Sequence, residues 1–253
     1  MKLPEDRRQA LEEILRLWGP ERFVLIGATA MACQLDQPWR TTRDIDLCVA
    51  QKADKCAEDL VSLGWHQRQG APQQWTTSVG TLVDIIPVEE EELAVGSLVW
   101  AGTDVAMSTL GLRLAFADTV PLDLVAGHAI RMASLPAIVL LKMAAYLDRP
   151  WLRETDLGDI AQIIAAAALP DSDRWSDEVI EAELAFDDVA PFLFGLRLGR
   201  TADISERGLL DVFLGHTATS RRTSARSTSS LARRSRLRRS RIRRRVSRSA
   251  RRA

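Results

Sequence analysis

Residues 40–50 read RTTRDIDLCVA, and the fold turns on how this stretch is read. Asp44 and Asp46 are separated by Ile45 and followed by the apolar run Leu47-Cys48-Val49. Side chains in a β-strand alternate faces, so the pattern predicts a strand with both carboxylates on one face and Ile45 and Leu47 directed into a core. Two carboxylates placed side by side raise each other's pKa and oppose folding unless a cation lies between them.

A third carboxylate has the same setting. In TLVDIIPV (81–88), Asp84 falls on the face opposite Val83 and Ile85, which predicts a second strand with an outward acid. Hard divalent ions, magnesium or manganese, prefer such oxygen ligands. A calcium loop of the EF-hand kind is excluded, because the sixth position counted from Asp44 is Val49 rather than glycine. A pair of divalent ions can bridge a nucleoside triphosphate and support in-line displacement at its α-phosphorus. Upstream, RFVLIGATAMA (22–32) reads as a buried strand, a turn at Gly27 and the start of a helix from Thr29 to about Leu35. A glycine turn opening a helix presents backbone amides to phosphate, although a plain strand-to-helix turn has the same appearance.

Around these motifs the chain alternates helix and strand. Leu11, Ile14, Leu15 and Trp18 recur at helical spacing before Gly19-Pro20, and Lys52 to Leu63 suits a helix closed by Gly64. HQRQ (66–69) and QQWTTSV (73–79), separated by Gly70-Ala71-Pro72, predict a hairpin-like pair, and further strands are expected near 97–100, 109–117 and 121–125. From Pro136 the pattern becomes helical: PAIVLLKMAAYL, ETDLGDIAQIIAAAAL and SDEVIEAELAF. The expected fold class is α/β (α+β), a mixed sheet flanked by helices and followed by a C-terminal helical region.

Composition adds a charge asymmetry. The net charge is zero, yet all 34 acidic residues lie at or before Asp211, and 15 of the 34 basic residues lie in 218–253. Residues 1–217 therefore hold 19 basic against 34 acidic side chains, about −15, and the tail about +15. That tail, rich in Arg, Ser, Ala and Thr, cannot bury enough apolar surface to offset its ordering entropy and is expected to be disordered. Three readings of it stay open: an arginine-rich arm that binds nucleic acid, a clamp onto the acidic body, or the product of a shifted reading frame in a GC-rich gene. No run of about 18 apolar residues suggests a membrane span, and the charged N-terminus does not resemble a secretory signal. A soluble, cytoplasmic protein is expected. The three cysteines, Cys33, Cys48 and Cys56, form no CxxC pair and are expected to act as small buried hydrophobes.

The motifs GATA(x)9RTTRDIDL, LVDIIPV and LLKMAAYLDR...RETDLGDI together resemble those of the DNA polymerase β-like nucleotidyltransferases, closest to the AbiEii-type toxins of abortive-infection and toxin-antitoxin systems. The resemblance runs from about Phe23 to Ile164. It implies a catalytic domain over 1–134, a helical region over 135–216 that completes the active site, and the tail over 217–253. It also implies a magnesium- or manganese-dependent transferase that moves NMP from ATP or another NTP to an acceptor hydroxyl, on tRNA, a protein or a small molecule. An antitoxin protein is an implied partner. By the same resemblance Asp44, Asp46 and Asp84 hold the metals, and Asp84 ligates a metal or activates the acceptor hydroxyl. Gly27, Ala28, Thr29, Arg40, Thr42 and Arg43 bind nucleotide, Lys142 contacts the triphosphate, and Asp156 and Asp159 match the acidic positions of a KDxxDI element. Two departures stand out: Gly27-Ala28 replaces the usual Gly-Gly or Gly-Ser, with Thr29 as a substitute hydroxyl, and Arg153-Glu154-Thr155-Asp156 replaces Arg-Lys-Asp.

Two other classes share parts of the pattern. Glycosyltransferases use an Asp-x-Asp pair to hold manganese and a sugar nucleotide, and a non-catalytic member of the same fold could serve as a binding or regulatory module. Lys142 in an apolar helix also fits a snorkelling lysine, and Asp156 and Asp159 fit helix N-terminal acids stabilised by the dipole.

Overall fold

The computed structural model describes residues 3–35, 42–100, 105–125, 128–166 and 171–217. Arg40 and the tail beyond Thr217 lie outside the described residues. In chain order the elements are α1 (Glu5–Trp18), β1 (Phe23–Ile26), α2 (Gly27–Gln34), β2 (Asp44–Ala50), α3 (Ala53–Ser62), β3 (His66–Gln67), β4 (Gln74–Thr76), β5 (Leu82–Val88) and α4 (Glu90–Val95). There follow β6 (Ser97–Val99), β7 (Ala106–Ser108), α5 (Leu112–Ala117), β8 (Thr119–Val125), β9 (His128–Ala133), α6 (Leu135–Asp148), a 3-10 turn over Pro150–Leu152 and α7 (Glu154–Ala166). A second 3-10 turn (Asp171–Trp175), α8 (Asp177–Glu181) and α9 (Phe186–Thr201) follow, and residues 204–209 are helical. All of these belong to one unit, Met1–Leu209; in the second, Leu210–Ala253, residues 210–217 are helical.

The α/β expectation holds. Seven strands form a mixed sheet in the order β3-β4-β5-β2-β1-β9-β8, with helices on it and a helical region after β9. β2 runs parallel to β5 and antiparallel to β1, and β1 runs parallel to β9. The parallel β2–β5 pair needs a crossover, which α3 and the β3–β4 hairpin supply. No described helix is long and apolar enough to cross a membrane.

The core follows the predicted periodicities. Ile45 and Leu47 on β2 and Val83 and Ile85 on β5 are buried, while the intervening acids are only half-buried. In α1, Ala10, Leu11, Ile14 and Trp18 form the buried stripe, and Gly19 (φ 73°) ends the helix in a conformation that side chains avoid. The central helix α6 is apolar nearly all round, begins at a Ser134 cap that accepts from the Ala137 amide, and buries Ile138, Val139, Leu140 and Met143. Cys48 and Cys56 are buried and Cys33 half-buried, all as free thiols; burial pushes the Cys56 thiol up to about 12.

Two segments depart from the sequence expectations. Residues 109–117, expected as a strand, form the turn into α5: Gly111 adopts φ 87° and the alternating leucines instead bury Leu112 and Ala115 one helical turn apart. The helix expected over SDEVIEAELAF stops at Glu181, followed by Glu183 at φ 49°, and a new helix, α9, begins at Phe186.

Candidate active site

The parallel register of β2 and β5 aligns the acids. Asp46 is opposite Asp84, Asp44 is opposite Leu82, and ligand oxygens of Asp44, Asp46 and Asp84 all lie within 4.8 Å of one another. The row continues on both sides, with Ile26 of β1 facing Asp46 and Gln74 of β4 facing Asp84. Among the described residues no lysine or arginine forms a direct ion pair with any of the three.

This crowding has an electrostatic price. Burial, reinforced by the charges of Asp44 and Asp84, pushes Asp46 up to about 7, and more distant Lys142 and Arg153 offset only part of that. Asp84 is pushed up to about 6 by burial and by Asp44, against a hydrogen bond from Gln74 and the charges of Arg153 and Arg68. The Thr42 hydroxyl donates to Asp44 Oδ1, and the Arg7 guanidinium donates to the Thr42 carbonyl, so the segment leading into β2 is held in place. Three clustered carboxylate oxygens with no ion-pair partner among the described residues suit hard divalent cations, magnesium or manganese.

Gly27 fits the site for a steric reason. Its φ is 66°, and a Cβ built there would lie 2.1 Å from Asp46 Oδ2, so no side chain is compatible with this carboxylate position. Ala28 also lines the cleft beside the acids. Thr29 is fully buried, and its hydroxyl donates to the Asp44 carbonyl at 2.8 Å, latching α2 to β2.

The facing wall comes from α6, α7 and the turn between them. Lys142 Nζ donates to Asp156 Oδ1 at 2.9 Å and to Asp159 Oδ2 at 2.5 Å, and all three residues are buried. A buried ammonium held by two carboxylates cancels one of their two charges; without it, both would be buried uncompensated. Asp156 Oδ2 has no hydrogen-bond partner among the described residues, and the Arg153 guanidinium approaches it at 4.0 Å. Between this wall and the sheet opens a cleft of about 560 Å³, lined by the three acids, Gly27, Thr42 and Lys142 together with Arg149 and Arg153. Trp100, Met107 and Leu141 supply an apolar side.

Of the residues singled out from sequence, Gly27, Ala28, Thr42, Asp44, Asp46, Asp84, Lys142 and Asp156 share this cleft. Asp159 is fully buried behind Lys142, and Arg43 is exposed and is not among the described residues lining the cleft. Sequence reasoning missed Arg149, which extends past the end of α6, and Arg68 and Gln74 on the hairpin beside Asp84. The one available signal for Gln74 was its place at the start of a strand neighbouring LVDIIPV.

No protein-family profile and no curated protein matches the chain. Solved structures do. The antibiotic-resistance factor ANT(2'')-Ia aligns over 87% of this chain and 98% of its own at 14% identity, with a TM-score of 0.43. An antigenic nucleotidyltransferase-like protein from Paracoccidioides brasiliensis aligns over 71% of this chain and 87% of its own at 19% identity, TM-score 0.43. The lincosamide antibiotic adenylyltransferase LnuA aligns over 64% of this chain and 98% of its own at 16% identity, TM-score 0.40.

Proposed function

We propose that the protein is a magnesium- or manganese-dependent nucleotidyltransferase. The observation that carries this reading is the convergence of Asp44, Asp46 and Asp84 within 4.8 Å, against a glycine turn that admits no side chain and at one wall of a cleft of about 560 Å³. Asp44 and Asp46 would hold the ion, with Asp84 as third ligand or as base for the acceptor. When bound, the ion supplies charge neutralisation and Lewis-acid polarisation of the triphosphate. In the reaction the acceptor oxygen forms a bond to the α-phosphorus, the bond from that phosphorus to the pyrophosphate bridging oxygen breaks, and the hydroxyl proton leaves to a carboxylate.

Lys142 is committed to Asp156 and Asp159, so it acts by holding α6 against α7. Direct contact with the triphosphate falls to Arg149 and Arg153, which line the cleft. A body of about −15 favours a small hydroxylated acceptor over an extended polyanion. A toxin acting on tRNA, with an antitoxin partner, is the alternative acceptor class.

The test is incubation with each α-labelled NTP and Mn2+, against total RNA, a protein extract and a panel of hydroxylated antibiotics. Label should transfer to one acceptor class with release of pyrophosphate. UDP-sugar turnover without nucleotide incorporation would replace this reading with glycosyl transfer, and absence of both metal and NTP binding would leave a non-catalytic module.

A further inference from the structure

The β3–β4 hairpin is built as a rigid arm against the third carboxylate. Arg68 is clamped to Gln74 twice: its amide donates to the Gln74 carbonyl at 2.8 Å, and its guanidinium Nη1 donates to Gln74 Oε1 at 2.9 Å. The turn between them is tied by Gln74 N to the Ala71 carbonyl (2.9 Å) and by Gln67 Nε2 to the Pro72 carbonyl (2.7 Å). Because Oε1 accepts from Arg68, the amide nitrogen of Gln74 is the end left to donate, and its cross-strand neighbour is Asp84. From this neighbouring position the Gln74 side chain favours the charged form of the Asp84 carboxyl. Arg68 therefore fixes which way the glutamine amide points.

We infer that Gln74, oriented by Arg68, is a positioning residue that holds Asp84 in its metal-ligating orientation. This rests on the proposed metal site and extends it to a strand that contributes no acid. Outer hydrogen-bond partners of metal ligands act by locking ligand direction, and their loss typically lowers metal affinity by about 10–100-fold. A neutral amide suits the task, since a lysine or arginine at position 74 would compete with the ion for the carboxylate.

The experiment measures Mn2+ affinity of the full chain by electron paramagnetic resonance, with thermal melting as a control for folding. Gln74→Leu should weaken Mn2+ binding about tenfold or more at unchanged melting behaviour. Arg68→Met, an exposed site that leaves the core untouched, should give a smaller loss that Arg68→Lys restores, and no further loss when added to Gln74→Leu. Wild-type affinity in Gln74→Leu, or an Arg68→Met effect that persists in the Gln74→Leu background, overturns the relay while leaving the metal site standing. Failure of the unaltered protein to bind Mn2+ removes both.

Discussion

Two groups of aspartates face each other across the cleft in opposite electrostatic conditions. Asp156 and Asp159 on α7 enclose Lys142, with Arg153 4.0 Å from Asp156, so their charge is offset by cations of the protein and the cluster joins two helices. Among the described residues Asp44, Asp46 and Asp84 on the strands have no such ion-pair partner, and two of them are pushed well above the ordinary carboxylate range. The same residue type thus serves cohesion on one wall and leaves charge crowded on the other. Site chemistry is legible from which charges the protein leaves unbalanced.

The sharpest way to break this contrast is Asp46→Asn. It should lower nucleotide transfer by about 10³-fold or more, since it removes a ligand from the ion that stabilises the transition state. Melting of the metal-free protein should stay level or rise, because a crowded charge is gone; a marked loss of stability would mean that the strand acids are structural after all. Lys142→Met tests the other wall. Leaving two buried carboxylates without their cation should destabilise the fold by about 3–5 kcal/mol in urea titration. An unchanged midpoint would put the helical cluster in the same class as the strand acids.

Gly27→Ala is next, with strain from positive φ of about 1–2 kcal/mol and displacement of Asp46, read as loss of both stability and Mn2+ affinity. Acidity gives a subtler signal. The folded pKa values of Asp46 and Asp84, about 7 and about 6, lie above the ordinary aspartate value, so the metal-free fold binds more protons than the unfolded chain. Its stability should therefore be greatest below about pH 4 for these two groups and decline as pH rises toward 7, with Mg2+ flattening the decline. Melting curves with EDTA and with Mg2+ at several pH values check the sign, and Asp46→Asn should shrink the slope. Thr29→Val should have the smallest effect, about 1 kcal/mol from one lost hydrogen bond to the Asp44 carbonyl.

Period-two patterns were the most readable part of the chain. DIDL and LVDII each interleave acids with large aliphatics, and that alternation sufficed to put three carboxylates on outward faces. It could not give the register that sets Asp46 opposite Asp84, because strand pairing across a crossover is decided by tertiary packing. The same cue misled at 109–117, where alternating leucines follow a Gly111 turn and fold as α5. β9 escaped notice because HAIRMA is short and is organised by its long-range partners β1 and β8. α9 was hidden by Pro191 and two glycines within its span. The ion cluster around Lys142 was half visible: its three members were identified, but only the approach of α7 to α6 shows that the lysine is already engaged.

The crossover between β2 and β5 carries a lesson for engineering. The ligands sit on the strands themselves, so insertions tolerated in α3 would leave the acids aligned, whereas a single residue added inside either strand would turn its aspartates inward and its isoleucines out. Catalytic competence and correct sheet assembly should therefore be lost together, which makes metal uptake a convenient reporter of proper pairing in any redesigned variant.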